Sequence, residues 1–191
     1  MNRILGILTL RVSTYRAIAD DPNATRPAML IVGLVSLFVG AVSGLVRTDP
    51  NNPQQLAPLE PLTVVEYALI GLVFGLIAWF VGAWVLALVA RWFGGKTNTK
   101  EMLRVTGYVE IFALVSVLSL VTLWLPALTI VTSVVLFVVS ILRLLGYIVG
   151  IREAAEFSTG NAIVTAIFAL IAAFLIRGAA ELLARFLTGI V

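Results

Sequence analysis

Long apolar runs broken by short polar turns set the plan of this chain. The runs cover about residues 28–46, 63–93, 102–125, 128–151 and 161–176, and the last helix is expected to continue to residue 188. Each approaches or exceeds the ~20 helical residues needed to cross a hydrocarbon core about 30 Å thick. The apolar residues run continuously and do not alternate, which argues against a β-barrel. Backbone N–H and C=O groups in hydrocarbon must be paired within their own segment, so the runs predict helices. The expected fold is all-α: an integral membrane bundle of five transmembrane helices over residues 1–191, as one domain.

The polar stretches between the runs predict the turns. Pro50, Pro53, Pro58 and Pro61 bar a helix from the linker after the first run. Gly94 and Gly95 open a basic turn that ends at Lys100, and Pro126 makes a tight uncharged hairpin. Arg152 to Gly160 form the last polar turn, where Ser158 or Thr159 is a suitable N-cap for the fifth helix. The second run exceeds what a bilayer needs and must tilt or project. Trp92 stands at its end as an interfacial anchor.

Before the first run, residues 1–26 form a cytoplasmic or interfacial segment. Ile4, Leu5, Leu8, Val12, Tyr15 and Ile18 recur at helical spacing among Arg3, Arg11 and Arg16. The pattern predicts one N-terminal amphipathic juxtamembrane helix over residues 3–19, with its arginines reaching lipid phosphates. The competing arrangement packs it on the bundle as a cytosolic helix. No apolar core ends in a small-residue cleavage site, so no cleavable signal is expected.

Composition agrees with lipid as the solvent. Of 191 residues, 61% are hydrophobic and 12% charged, against about 25% charged in soluble domains. Mean hydropathy is +1.09. The chain has no cysteine and no histidine. Disulfides, thiolate catalysis and histidine-dependent hydrolysis are thereby excluded. No nucleophile with a base, no paired carboxylates and no metal cluster appears, so neither enzyme activity nor a cofactor or metal is expected. No nucleic-acid partner is expected either.

Positive charge is uneven about the runs. Arg3, Arg11, Arg16, Arg26, Arg91, Lys96, Lys100, Arg104 and Arg152 fall on one side. Arg47, and beyond the fifth run Arg177 and Arg185, fall on the other. The positive-inside rule makes the N-terminus cytoplasmic and the C-terminus exterior, in a cell membrane. Arg177, Glu181 and Arg185, spaced i, i+4, read as an outer charge ladder. Glu66, near the outer end of the second run, reads as solvated.

Two charges lie at membrane depth. Glu110 is about seven residues from the inner end of the third run, and Arg143 about eight from that of the fourth. At 1.5 Å per residue both sit roughly 10–12 Å below the inner surface. A charge there costs about 2.5–3.5 kcal/mol even on lenient scales, so it needs a partner. Runs three and four share a tight hairpin, and an ion pair between Glu110 and Arg143 is expected. Its simplest role is to fix helix register, because the centres of the other runs carry no charge. Its functional role would be to line a polar cavity for an ion or proton.

Gly40 with Gly44, Gly71 with Gly75, and Gly146 with Gly150 form GxxxG pairs, expected to serve packing within the bundle ahead of dimerisation. Gly95, Lys96 and Thr97 look like the end of a phosphate loop, but its first glycine would fall at Ala90 and no strand precedes it. Asn23, Ala24 and Thr25 spell a glycosylation acceptor on a segment expected inside.

Three polar signatures occur in a fixed order. Tyr15 is followed by Asp21, Pro22, Asn23, Ala24 and Thr25 at the first run. Phe93, Gly94 and Gly95 precede Glu101, Leu103, Arg104, Gly107 and Tyr108. Ile151, Arg152, Glu153 and Ala154 precede Phe157, Ser158, Thr159 and Gly160. The set resembles the Yip1 domain family in its bacterial form, over nearly the whole chain. The resemblance implies five membrane helices, an inner N-terminus and an outer C-terminus. Eukaryotic members are linked to vesicle traffic and prenylated small GTPases. This chain departs from them, lacking their long polar N-terminal region and their Asp-Leu-Tyr-Gly-Pro signature, so the GTPase role is not carried over.

The leading functional expectation is a multi-pass, non-enzymatic membrane scaffold or adaptor. It would organise a partner protein or anionic lipid at a cytoplasmic face bearing Arg16, Asp21, Arg26, Arg91, Lys96, Lys100, Arg104, Tyr108, Arg152, Glu153, Ser158 and Thr159. Expected partners are membrane lipids and other membrane proteins, or a second copy of the chain. An accessory subunit of a larger membrane complex is one alternative. A small transporter or channel using Glu110 and Arg143, which requires a cavity at their depth, is another.

Overall fold

The computed structural model describes residues 3–49, 52–56 and 58–171. The described segments include four helices long and apolar enough to cross a membrane: Pro22–Leu45, Pro61–Trp92, Thr99–Leu120 and Pro126–Ala155. A shorter apolar helix, α8, covers Thr159–Ile171. Of the expected fifth span only this portion is described. Residues 172–188, with Arg177, Glu181 and Arg185, lie outside the described residues.

The chain enters through two short helices, α1 (Arg3–Leu8) and α2 (Val12–Asp20). The expected single helix over residues 3–19 is therefore corrected. The break falls at Leu10, whose φ is +52°. Arg11 N–H bonds the Gly6 carbonyl at 2.8 Å and Leu10 N–H that of Ile7 at 3.0 Å. This pairing closes a helix with a left-handed residue just past its end, a place usually held by glycine. The fold back buries Ile7, Tyr15, Ile18 and Ala19 in the bundle core. The apolar face of α2 is thus packed on protein, as in the competing arrangement, and not spent on the headgroup layer.

Asp21 then accepts from Asn23 N–H at 2.9 Å and caps a 3₁₀ turn, Pro22–Ala24, that leads into α3 (Thr25–Leu45). Pro27 sits in the first turn of α3, where a missing N–H costs no helical bond. After α3 the proline-rich linker forms a small antiparallel hairpin, β1 (Thr48–Asp49) with β2 (Asn52–Leu56), the only strands among the described residues. Pro61 opens α4 (Pro61–Trp92) at a position where proline suits a helix start.

Helices α3 and α4 form the most extensive contact, through glycine. A Cβ on Gly71 would lie 2.8 Å from the Ser36 carbonyl and 3.0 Å from Gly40 Cα, and one on Gly44 3.0 Å from Val64 Cα. Two of the GxxxG pairs therefore lie in this contact, where Gly40 meets Gly71, Gly44 faces Val64 and Tyr67, and Gly75 faces Ser36. The third receives other elements of the same chain: Gly146 faces the Tyr15 hydroxyl, Val109 and Phe112, and Gly150 faces Val105 and Tyr15.

The third membrane segment is not a uniform α-helix. It begins as α5 (Thr99–Val109), winds as a 3₁₀ helix over Glu110–Leu120 and ends in a short α6 (Val121–Trp124). A 3₁₀ turn at Pro126–Leu128 leads into α7 (Thr129–Ala155). Asn98 caps α5 reciprocally with Glu101: Glu101 N–H donates to Asn98 Oδ1 at 3.1 Å and Asn98 N–H to Glu101 Oε2 at 3.3 Å. Residues Met102–Val109 are all buried. Outward, α3, α4 and α7 expose large apolar side chains such as Leu34, Phe74, Ile130 and Phe137, as lipid-facing helices do.

Gly40→Val, which drives a side chain into the Tyr67 backbone, is expected to lower stability by about 1–3 kcal/mol, the usual penalty of overpacking. Gly82→Ala, whose Cβ meets nothing within 4 Å, is expected to change little. Thermal melting of both variants in one detergent checks the difference.

Candidate functional site

Glu110, Arg143 and Tyr147 form one cluster at membrane depth. Arg143 Nη2 donates to Glu110 Oε2 at 2.6 Å, and the Tyr147 hydroxyl donates to Glu110 Oε1. The Arg143 guanidinium lies 5.8 Å from the Tyr147 ring centroid. Arg143 and Tyr147 are four residues apart on α7, so both point toward the element carrying Glu110. The carboxylate is 17% exposed, the arginine side chain 39%. Arg143 Nε is buried without an acceptor, and so is Ser116 Oγ. The cluster leaves part of its hydrogen-bonding capacity unused.

Open space adjoins it. Clefts of about 350, 380 and 210 Å³ all reach Arg143, and the first two also share Glu110, Ser36 and Gly75. Together they follow α4 from Tyr67 to Leu86, about 28 Å of helix at 1.5 Å per residue. Glycines at Gly71, Gly75 and Gly82 keep the α4 wall thin. Trp79 is turned inward, its indole N–H shared between Thr106 Oγ1 at 3.1 Å and the Leu103 carbonyl at 3.2 Å.

The 3₁₀ winding supplies the polar side of this space. At three residues per turn, Glu110, Ala113, Ser116 and Ser119 fall in a line. Glu110 and Ala113 line the second cleft, Ala113 and Ser116 the third. Ser119 and Thr122 donate to carbonyls three residues back, at 2.7 and 2.6 Å. A period of exactly three small or polar residues, continued to Thr122, was the available signal for this stripe in the sequence. Counting depth alone does not find it.

The expected partner-facing residues divide at the basic end. Arg104 and Tyr108 are corrected: they are 8% and 4% exposed and belong to the interior. Arg104 Nη1 donates to the Ala19 carbonyl at 2.6 Å and Nε to Thr25 Oγ1 at 3.0 Å. One side chain thereby ties the end of α2 and the start of α3 to α5. Arg16 donates through Nη1 to the Glu153 carbonyl at 2.8 Å and pairs with Glu156 and Asp20. Arg152 reaches Glu153 at 2.8 Å and Thr159 Oγ1 at 3.3 Å. Ser158 Oγ accepts from Asn161 N–H at 3.2 Å and caps α8. These residues join segments of the chain to one another. Arg26, Arg91, Lys96 and Lys100 remain exposed at the same end, with Arg11.

The glycine signature is also a joint. Gly94 has φ +83°, and Gly95 N–H bonds the Ala90 carbonyl at 2.9 Å to close α4. Lys96 N–H then donates to the Ala155 carbonyl at 2.8 Å, and Asn161 Nδ2 to that of Phe93 at 3.3 Å. The Phe93 and Phe168 rings pack with centroids 5.8 Å apart.

At the N-terminal edge Arg3 pairs with Asp21. The Arg3 guanidinium and then the Asn23 N–H hold the Asp21 carboxyl below its usual range. Asp21, next to the Arg3 tether, should therefore report acid release. A carboxyl depressed in the folded chain contributes fully above about pH 4 and loses that contribution as pH falls through its folded value. Proteolysis of residues 1–20 is expected to rise in that acid window, whereas Asp21→Asn should show the raised rate already at pH 7.

In the membrane cluster, Arg143→Gln is expected to cost about 3–5 kcal/mol, because it leaves the largely buried Glu110 carboxylate without its cation. Glu110→Gln combined with Arg143→Gln should cost less than Arg143→Gln alone. Detergent melting of the three chains, with the singles made separately, checks this inversion.

A family model for the Yip1 domain matches residues 5–179. No curated protein matches the chain, and no solved structure does.

Proposed function

Because the chain belongs to the Yip1 domain family and carries several helices of membrane-spanning length, we propose that it is a non-enzymatic membrane scaffold whose basic end holds a partner protein. It is a membrane-embedded protein of the Yip1 type. The reading places the basic end in the cytosol, the N-terminus inside and the C-terminus outside the cell membrane, on the positive-inside rule.

One observation carries the scaffold reading. The basic end is a platform fixed by side-chain ties between α2, α5, α7 and the start of α3. Its binding-type side chains are consumed in holding that platform, which suits presentation of a surface more than turnover of a substrate. Around it Arg26, Arg91, Lys96 and Lys100 stay exposed. Cations held on a rigid frame lose little further freedom on binding, so they favour docking of an acidic surface. Each exposed cation adds about 1 kcal/mol of attraction to an anionic membrane face as well, which keeps the platform near the surface where partners are recruited.

The quadruple variant Arg26→Gln, Arg91→Gln, Lys96→Gln, Lys100→Gln is expected to fold, since these side chains are exposed. Crosslinking in native membranes followed by purification should recover a specific partner with the natural chain and lose at least tenfold of it with the variant. Equal recovery by the two chains, or recovery of nothing by the natural one, removes the proposal.

A further inference from the structure

We propose that the clefts around Arg143 bind the zwitterionic headgroup of an aminophospholipid, with its phosphate on Arg143 and its primary ammonium on Glu110. Charge balance points to such a ligand. Glu110 and Arg143 cancel each other at a depth where added net charge is expensive. A simple anion on Arg143, or a simple cation on Glu110, would leave the site charged. A ligand bearing one charge of each sign leaves it neutral and replaces one ion pair with two.

The donors and acceptors fit such an exchange. Arg143 has five N–H groups, and Nε has no acceptor. Its guanidinium matches phosphate oxygens in a forked geometry that lysine could not provide. Glu110 keeps its bond from the Tyr147 hydroxyl at Oε1, so Oε2 is the oxygen that would pass from Arg143 to the ammonium. Ser36 on α3 borders both larger clefts and adds a hydroxyl beside the pair.

The walls select a lipid over a soluble zwitterion. Away from the pair the clefts are mostly apolar, with Val32 and Leu86 toward the basic half and Val39 and Ile70 toward the other. They run along α4 at the level of its outward-facing chains such as Phe74 and Phe80. A headgroup entering there keeps its acyl chains against apolar side chains.

The test uses the full-length chain in detergent with dioctanoyl lipids, read by thermal shift and native mass spectrometry. Dioctanoyl phosphatidylethanolamine should be retained, at concentrations at least tenfold lower than phosphatidylglycerol or phosphatidylcholine. Phosphatidylglycerol lacks the ammonium, and phosphatidylcholine lacks its N–H donors. Glu110→Gln should abolish the preference. Gly82→Phe is the second variant: it fills the first cleft from a position whose Cβ meets no neighbour, so it leaves the ion pair in place and should also abolish the preference. Equal retention of the three lipids overturns the proposal. So does a preference that survives Gly82→Phe. Phosphoethanolamine without chains binding as tightly as the lipid would assign the site to a soluble zwitterion and overturn the lipid assignment.

Discussion

A polar group in hydrocarbon finds no water, and the structure is organised around that fact. Backbone donors and acceptors must be paired within the chain, and a hydroxyl or charge without a partner there is costly. Trp79, Thr106, Ser119 and Thr122 all meet this demand with backbone carbonyls close by or with each other. Glu110 meets it with two donors from one helix. Association of the helices themselves cannot draw on the hydrophobic effect, since lipid is as apolar as leucine. It depends on close approach instead, and Gly40 against Gly71 provides that between α3 and α4.

Much of this was legible in residue patterns because the constraint acts on composition. Continuous apolar runs mark spans, prolines mark linkers, and a lone charge at depth demands a partner at the same depth. Counting turns from each end placed Glu110 beside Arg143, and the structure joins them. Other features escape the same logic. Leu10 breaks the N-terminal helix with neither glycine nor proline to announce it. Its left-handed backbone costs local energy that is offset by burying Ile7 and Tyr15, and only tertiary contacts reveal that exchange. Arg104 and Tyr108 resemble surface residues because they follow a basic loop. Their burial depends on α1 and α2 folding over α5, and amphipathic spacing cannot say whether a helix covers protein or lipid.

The basic-end signatures gain a different meaning from their geometry. Gly94 and Gly95 end α4 so tightly that Lys96 can bond the last turn of α7. Arg16 and Arg104 bond carbonyls at α7 and α2, where unpaired C=O groups at helix ends carry partial negative charge. Arginine suits these places because its fork can serve two acceptors on different segments at once. Several of the signature residues are therefore ones that fasten segments of this chain together. What surrounds the joint is a rim of exposed cations: Arg26, Arg91, Lys96 and Lys100.

The 3₁₀ segment links the two halves of this picture. An α-helix over Glu110–Leu120 would spread Glu110, Ala113 and Ser116 around its surface, since each third residue falls 60° short of a full turn. The tighter winding aligns them and lengthens the segment to about 2 Å per residue. Its hydrogen bonds are poorer than those of an α-helix, so the segment gives up some stability to hold that alignment. Ala113 and Ser116 line clefts beside Arg143, while the segment as a whole packs against α3 and α7. The winding therefore holds one line of small and polar side chains beside open space.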